Sequence, residues 1–383
     1  MIRILFAGGG TGGHIYPIVA VSEDIWRFKT GKNFDMRYFG APGNYKSFLE
    51  DKGIKVSRIF SAKFRRYFDI QNFFDIFFFL PLSIIQAFWK VFWFMPDILF
   101  SKGGPGALPV VLACRFYRIP VIIHDSDSIM GLANRLSCFF AQRIAVSFNS
   151  AMEDLIKKNP KLQNKTALIG NPVRHSLFEA FSDNEAAKNL FSFDSEKPII
   201  LIIGGSQGAV KINNFMVENS FELVKKFQIL HQTGIKNFQS AKEELDIILK
   251  NASPEEKKNY KLVPYFEKDM AEAYSAADLV VSRASSGSIF EIAAFGKPSI
   301  LIPLPEEVVG IHQSKNAYEY AKTGAAIMIE EPNLKQNLFM AQLGKIFSSP
   351  ENLKSMSVAA KQFSKPNAGK MIAEEILRII ERN

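Results

Sequence analysis

A short apolar run ending in a cluster of glycines occurs twice in this chain, once in each half. Ile2-Arg3-Ile4-Leu5-Phe6-Ala7 leads into Gly8-Gly9-Gly10-Thr11-Gly12-Gly13-His14, and Ile199-Ile200-Leu201-Ile202-Ile203 leads into Gly204-Gly205-Ser206-Gln207-Gly208-Ala209. Each run reads as a buried parallel strand, and each glycine cluster as a tight turn into a helix. Without a Cβ the turn lets the backbone approach a phosphate or sugar, and the helix N-terminus that follows favours negative charge. Two such units predict an α/β fold of two Rossmann-like domains facing a central cleft. That architecture suits an enzyme joining a nucleotide-bound donor to a second substrate.

The intervening pattern is consistent with this. Strand signals at 3–7, 36–39, 56–59, 98–101, 121–124, 144–146 and 167–169 alternate with helical stretches such as 17–28 and 108–117. This alternation predicts a parallel sheet covered on both faces. Gly170-Asn171-Pro172-Val173 reads as a linker, since the proline biases its predecessor away from helix. A second series follows at 199–203, 229–232, 261–263, 279–282, 299–302 and 326–329, and helices from 334 onward break near Pro350 and Pro366. The expected division is a first domain over 1–170, a second over 171–365, and a last helix over 366–383 crossing back to the first.

At 383 residues the chain has room for two full cores. A net charge of +9 and a pI near 9.3 point to an anionic partner: a nucleotide, a nucleic acid or an acidic membrane. The absence of a dense Lys/Arg block argues against nucleic acid. Cys114 and Cys138 have no CxxC spacing, which argues against a disulfide framework or a zinc site. The N-terminus lacks the length and cleavage pattern of a secretory signal, so a cytoplasmic location is expected.

The segment from Phe73 to Met95 is unusually aromatic. A membrane span needs roughly 20 apolar residues, so length permits one. Topology opposes it, because strands 56–59 and 98–101 have to lie in one sheet. Pro81, Ser83, Gln86 and Lys90 also interrupt the run. An oversized buried crossover helix is the alternative, but such a helix keeps one face wet, whereas 82–94 is apolar on nearly every face. With Lys63, Arg65 and Arg66 just upstream, the segment predicts peripheral contact with an anionic membrane surface through Phe77, Leu80, Phe88, Trp89 and Trp93.

The first loop fits GxGxxG at Gly8, Gly10 and Gly13, which raises a dinucleotide-dependent oxidoreductase. The second strand, however, ends Arg37-Tyr38-Phe39-Gly40-Ala41 and lacks the acid that would hold the ribose. His14, where loop meets helix, is the candidate general base, the alternative being a histidine that bonds loop carbonyls. Gly103-Gly104-Pro105-Gly106 forms another close-approach loop on the same sheet edge, suited to a diphosphate. In the second half, Ser282 to Pro298 sets a Ser/Gly run ahead of an apolar helix, supplying N–H groups and hydroxyls for phosphate oxygens. Glu291, about one turn into that helix, can accept hydrogen bonds from ribose hydroxyls; a capping box with Ser288 is its alternative role.

In the order and spacing of these motifs the chain resembles the MurG family of bacterial glycosyltransferases, which have the GT-B fold. The resemblance runs nearly end to end. It rests on Gly8–His14, Gly103–Gly106, Gly170-Asn171-Pro172-Val173-Arg174, Gly204–Ala209, Asp269-Met270, Ser282–Pro298 and His312-Gln313-Ser314-Lys315-Asn316-Ala317. It implies transfer of N-acetylglucosamine from UDP-N-acetylglucosamine to lipid I, giving lipid II for peptidoglycan, by an inverting hexosyltransferase at the cytoplasmic face of the inner membrane. It implies Glu291 for the ribose, Phe266 and Met270 for the uracil, and Gln313 and Asn316 for the sugar hydroxyls. Thr11, Gly12, Gly13, Arg174, Ser206, Ser286 and Gly287 fall near the UDP, and His14 at the acceptor hydroxyl. Gly103, Gly104, His124, Asp125 and Asp127 fall on the acceptor side. Many members read His-Glu-Gln-Asn where this chain reads His124-Asp125-Ser126-Asp127, which replaces an amide by Asp127 among the polar contacts to the acceptor. Asp125-Ser126-Asp127 also mimics the DxD metal motif of a different glycosyltransferase architecture. No cofactor is required, and a divalent ion is left open. The rival readings are another GT-B glycolipid transferase, a UDP-sugar epimerase, and a catalytically silent nucleotide-sugar or membrane-binding module.

Overall fold

The computed structural model describes residues 1–28, 31, 33–60, 79–104, 106–179, 183–194, 196–204, 208–266, 268–309 and 311–382. The chain forms two compact units, Met1–Arg174 together with Lys365–Asn383, and His175–Ser364.

The first unit is built on a seven-stranded parallel sheet. In chain order its strands are β1 (Ile2–Gly8), β2 (Phe34–Gly40), β3 (Ile54–Arg58), β4 (Ile98–Ser101), β5 (Val121–Asp125), β6 (Arg143–Val146) and β7 (Thr166–Leu168). In space they run β3-β2-β1-β4-β5-β6-β7, so the order reverses between β1 and β4. Ligands in open α/β sheets gather beyond the carboxyl ends of the strands at such a reversal. Here the Gly8–His14 and Gly103–Gly106 loops leave β1 and β4 side by side.

Both faces of this sheet are apolar, as a parallel sheet requires. Leu5 and Ala7 turn to a core shared with helices α2 (Leu80–Phe94), α3 (Ala107–Phe116) and the chain beyond α4 (Leu132–Ser137). Ile4 and Phe6 turn to the opposite core, shared with α1 (Gly12–Arg27). Ile372, Ala373, Ile376 and Ile379 of the C-terminal helix Ala368–Arg382 seal that second core. Arg143 Nε donates to Glu375 Oε1 at 2.8 Å at the edge of this helix. Gly369 brings the helix close to α1, since a Cβ there would fall 2.4 Å from Asp24 Oδ2. Helix α1 begins at Gly12, five residues before the expected start, and Pro17 lies inside it. Proline commonly marks a first helical position; here the helix starts on the paired glycines instead, and Pro17 forgoes one backbone bond.

The aromatic segment is described only from Phe79 onward, so Phe77, Lys63, Arg65 and Arg66 lie outside the described residues. Helix α2 turns Ser83, Ala87, Val91 and Phe94 inward. Its polar residues anchor it to the end of β3 and the chain just after it. Lys90 Nζ donates to Ser57 Oγ at 2.7 Å and Arg58 O at 2.8 Å, and Gln86 Oε1 accepts from Phe60 N at 2.9 Å. Leu82, Ile85, Trp89, Phe92 and Trp93 are exposed. Leu80 and Phe88 are only half-buried; Phe88 packs at the edge of the core, against Tyr117 and the exposed Phe116. Among the described residues no helix is long and apolar enough to cross a membrane.

The second unit carries a six-stranded parallel sheet: β8 (Ile199–Ile203), β9 (Gln228–Gln232), β10 (Tyr260–Val263), β11 (Leu279–Ser282), β12 (Ser299–Leu301) and β13 (Ala326–Met328). Its spatial order, β10-β9-β8-β11-β12-β13, again reverses beside the first strand. Ile200 and Ile202 alternate into a core with Ile212, Met216, Leu223 and Phe339, each buried aliphatic side chain contributing about 1.5–3 kcal/mol. Helix α5 (Met270–Ala276) precedes β11, α6 (Ser286–Ala294) follows it, and α7 (His312–Ala321) follows β12.

Candidate active site

In the first unit the glycine loop holds His14. Thr11 occupies the N-cap of α1 in extended backbone, and its Oγ1 lies 2.8 Å from His14 Nδ1. With Nδ1 engaged there, Nε2 is the nitrogen turned to the neighbouring loop. Two glycines make room for the ring. A Cβ on Gly9 would lie 2.9 Å from Nδ1, and one on Gly104 would lie 2.9 Å from Nε2. Gly103 and Gly104 have φ of +73° and +85°, which glycine adopts at little cost. Burial and the Lys102 ammonium hold the imidazole down to about 4. His14 is therefore neutral at physiological pH. Gly12 and Gly13 open α1 beside Thr11, and a Cβ on Gly12 would lie 3.0 Å from the Tyr16 ring. The Arg174 guanidinium lies over that ring, 4.2 Å from its centroid.

The carboxyl end of β5 is organised differently from the expectation. His124 and Asp125 are buried, His124 entirely. His124 Nε2 donates to Gly170 O at 2.8 Å, which leaves Nδ1 to accept from Lys102 Nζ. Burial and Lys102 push this imidazole far below its usual range. Asp125 Oδ1 accepts from Asp127 N at 3.0 Å, and Oδ2 accepts from Asn134 Nδ2 at 2.8 Å. Burial, then the Asp127 carboxylate, pushes Asp125 up. His124 and Asp125 thus shape the loop from beneath, and half-buried Asp127 is the carboxylate nearer its surface. Lys102 and Asn134, which the sequence did not single out, complete this arrangement with Asn171, which it marked only as part of the linker. Lys102 follows β4 directly and abuts Gly103, which is the one signal that marks it.

In the second unit the expected donor residues leave the carboxyl ends of β10, β11 and β12. Ser285 caps α6: its Oγ accepts from Ser288 N at 3.2 Å and lies 2.8 Å from Ser288 Oγ. The cap therefore stands three residues before Ser288, and Glu291 lies deeper in the helix than a capping box allows. Glu291 Oε2 instead accepts from Tyr274 OH at 3.2 Å, and Tyr274 stacks on Phe295 with centroids 4.9 Å apart. Tyr274 is a further residue that sequence reading did not find. Ser286 is buried at the first position of α6, and Gly287 is half-buried beside it. Phe266 is buried with its N–H on Gln232 Oε1 at 3.0 Å, and half-buried Met270 opens α5. Gln313 Oε1 accepts from Leu304 N at 3.0 Å, and Asn316 is buried one turn along α7. Ser206 lies outside the described residues. Among the described residues no cluster of three or more His, Cys, Asp or Glu is arranged to hold a metal ion.

Comparison with known proteins bears on the family and the fold. Residues 4–146 match the glycosyltransferase family 28 N-terminal domain, and residues 199–372 its C-terminal domain. The chain is 34% identical over 360 residues to a Clostridium tetani protein, covering 93% of this chain and 94% of the relative. It is 34% identical over 388 residues to one from Treponema denticola, covering 97% and 96%. Both relatives are named UDP-N-acetylglucosamine–N-acetylmuramyl-(pentapeptide) pyrophosphoryl-undecaprenol N-acetylglucosamine transferase. The crystal structure of Acinetobacter baumannii MurG superposes with a TM-score of 0.73 at 25% identity, covering 99% of this chain and 100% of that one. A UDP-N-acetylglucosamine 2-epimerase from Neisseria meningitidis, at TM-score 0.68 and 15% identity over 98% of this chain and 100% of that one, shares the fold alone. The chain has the GT-B fold and belongs to the MurG family of UDP-N-acetylglucosamine–N-acetylmuramyl-(pentapeptide) pyrophosphoryl-undecaprenol N-acetylglucosamine transferases.

Proposed function

We propose that this chain transfers N-acetylglucosamine from UDP-N-acetylglucosamine to the C4 hydroxyl of the muramyl sugar of lipid I, with inversion at the anomeric carbon, giving lipid II. The observation that carries this reading is the 34% identity to transferases of that name over more than nine-tenths of the chain. His14 Nε2 accepts the proton of the attacking hydroxyl while Thr11 holds Nδ1. A general base of this kind contributes roughly 10²–10⁴-fold to the rate. Anionic substrate near the imidazole raises its proton affinity from the low value of the free enzyme, bringing it towards the range where proton transfer is efficient. The departing UDP is stabilised by Arg174 and by the N-terminus of α6 at Ser286 and Gly287. Glu291, oriented by Tyr274, binds the ribose; Phe266 and Met270 hold the uracil; Gln313 and Asn316 meet the sugar hydroxyls. Thr11, Gly12 and Gly13 supply close backbone approach to the donor. Gly103, Gly104 and Asp127 face the acceptor, with His124 and Asp125 supporting them.

The lipid acceptor accounts for the outward face of α2. Trp89 and Trp93, 64% and 69% exposed, would be unfavourable in water and suit an interface. Phe116 on α3 and Leu132 on α4 are also exposed, and α3 packs on both neighbouring helices. This face docks peripherally on the anionic cytoplasmic leaflet that holds the substrate.

Acceptor dependence tests the reading. Purified protein given labelled UDP-N-acetylglucosamine should release UDP only when lipid I or a short-chain analogue is present. Turnover of the nucleotide sugar alone would indicate an epimerase, and binding without turnover a silent module.

A further inference from the structure

Lys102 is an ammonium in the wrong place for a solvated cation. It follows buried strand β4, is 3% exposed, and directs its N–H donors to three neutral acceptors: His124 Nδ1, Ser126 Oγ and Asn171 Oδ1. Ser126 Oγ also donates to Asn171 Oδ1 at 2.9 Å, which closes the triangle. A buried charge costs several kcal/mol unless paired; burial pulls Lys102 down to about 7, with Asp125 and Asp127 pushing the other way, so the side chain is an ammonium in the acid range where His14 takes up its proton. Lys102 also lies beside the first glycine loop. Its N–H donates to Ala7 O at 2.8 Å, and a Cβ on Gly8 would lie 3.5 Å from both the His14 and the Lys102 Cβ atoms. A single glycine therefore separates the two side chains.

We propose that Lys102 is a positioning residue of the transfer reaction, a buried ammonium that ties Ser126 to Asn171 beneath the Asp125–Asp127 loop and presents a positive charge to His14 across Gly8. The inference rests on the reading of His14 as the proton acceptor. The ionisable groups facing Lys102 are His14 on α1, His124 and Asp125 on β5, and Asp127 in the loop. Tyr38, whose hydroxyl donates to Gly8 O at 2.6 Å, is held neutral by burial. A cation facing an imidazole disfavours the imidazolium, so Lys102 keeps His14 in the form able to take a proton. Removing that charge raises the proton affinity of His14, and the acid limb of activity moves to higher pH.

The test is an NMR titration of the full chain carrying labelled histidine, followed from about pH 8 down to about pH 3, a range that spans the low titration of His14. The His14 signal is assigned by its loss in His14→Gln. In Lys102→Met the His14 titration should move up by about one unit or more relative to the wild type. Asn171→Asp keeps the lysine, sets a carboxylate against it and should move His14 in the same direction. The acid limb of kcat/KM for the acceptor should follow. A His14 titration that stays at its wild-type position in folded Lys102→Met overturns the proposal. If that variant does not fold, an unmoved titration in Asn171→Asp does the same. A wild type without acceptor-dependent transfer would overturn the functional reading instead, and the titration would still report on the Lys102–His14 pair.

Discussion

The imidazole of His14 lies against Gly104 so closely that a Cβ at that position would come within 2.9 Å of Nε2. The loop after β4 thus fixes the nitrogen that the loop after β1 supplies. Gly104→Ala should displace the ring and also strain a backbone at φ +85°. A misplacement of about 1 Å can cost about 10²-fold in rate, so kcat should fall by that order while KM for UDP-N-acetylglucosamine changes little. An equal rise in donor KM would show that the loop serves the donor instead.

Glu291 and Tyr274 give the opposite pattern. A hydrogen bond to a charged group contributes about 1.5–3 kcal/mol, so Glu291→Ala should raise the donor KM at least about tenfold. Tyr274→Phe removes only the 3.2 Å bond that orients the carboxylate, and should raise it less. Isothermal titration with UDP separates the two effects from turnover. Unchanged UDP affinity in Glu291→Ala would remove the ribose role.

Membrane docking is tested on the outward face of α2. Trp89→Ser with Trp93→Ser removes two exposed rings whose centroids lie 5.7 Å apart, and touches none of the inward residues Ser83, Ala87, Val91 and Phe94. At about 1.5–3 kcal/mol per buried aromatic, the share of protein sedimenting with anionic vesicles should fall at least about tenfold, with turnover on a soluble acceptor analogue retained. Sedimentation equal to wild type would refute docking by this face.

Acid should weaken the fold before it silences His14. His124 and His231 are fully buried; burial holds His231 down to about 3 and, with Lys102, holds His124 well below its usual range. Both titrate near about 6.5 once unfolded. Below that pH the unfolded chain takes up protons that the native one refuses. Native stability should therefore decline as pH falls from about 6.5 towards 3, by up to about 1.4 kcal/mol per pH unit for each histidine, and this contribution is constant above about pH 7. Urea denaturation at about pH 7.5, 6 and 5 reads the slope directly. A midpoint independent of pH over that range would contradict the buried neutral histidines.

Much of this was legible in the sequence because strands buried on both faces spell themselves out as apolar runs. The segment Ile199–Ile203 needed no further clue. The glycine loops were equally readable, since few other residues tolerate such close approach. Helix α2 was harder. Its inward face is made of Ser83, Ala87, Val91 and Phe94, with Trp89, Phe92 and Trp93 outside, so hydrophobicity alone could not tell core from surface. Ser288 looked like the helix cap because it precedes Glu291 by three, but Ser285 and Ser286 offer the same chemistry and the turn chose Ser285. His124 and Asp125 read as site residues from motif order, yet only three-dimensional packing shows their polar atoms consumed by Gly170, Asn134 and the Asp127 backbone. Lys102 was invisible for the same reason. One lysine beside a glycine loop looks like a solvated cation until the strand before it is seen to be buried.

The chemistry at the acceptor decides the central claim. Lipid I analogue and UDP-N-acetylglucosamine are incubated with the purified chain, and the disaccharide product is isolated and its new linkage read by NMR. The expected product is a single β-linked N-acetylglucosamine on the C4 oxygen of the muramyl sugar, formed by wild type and strongly reduced with His14→Ala. An α linkage, attachment at another hydroxyl, or wild-type rates in His14→Ala would contradict inverting transfer with His14 as the proton acceptor.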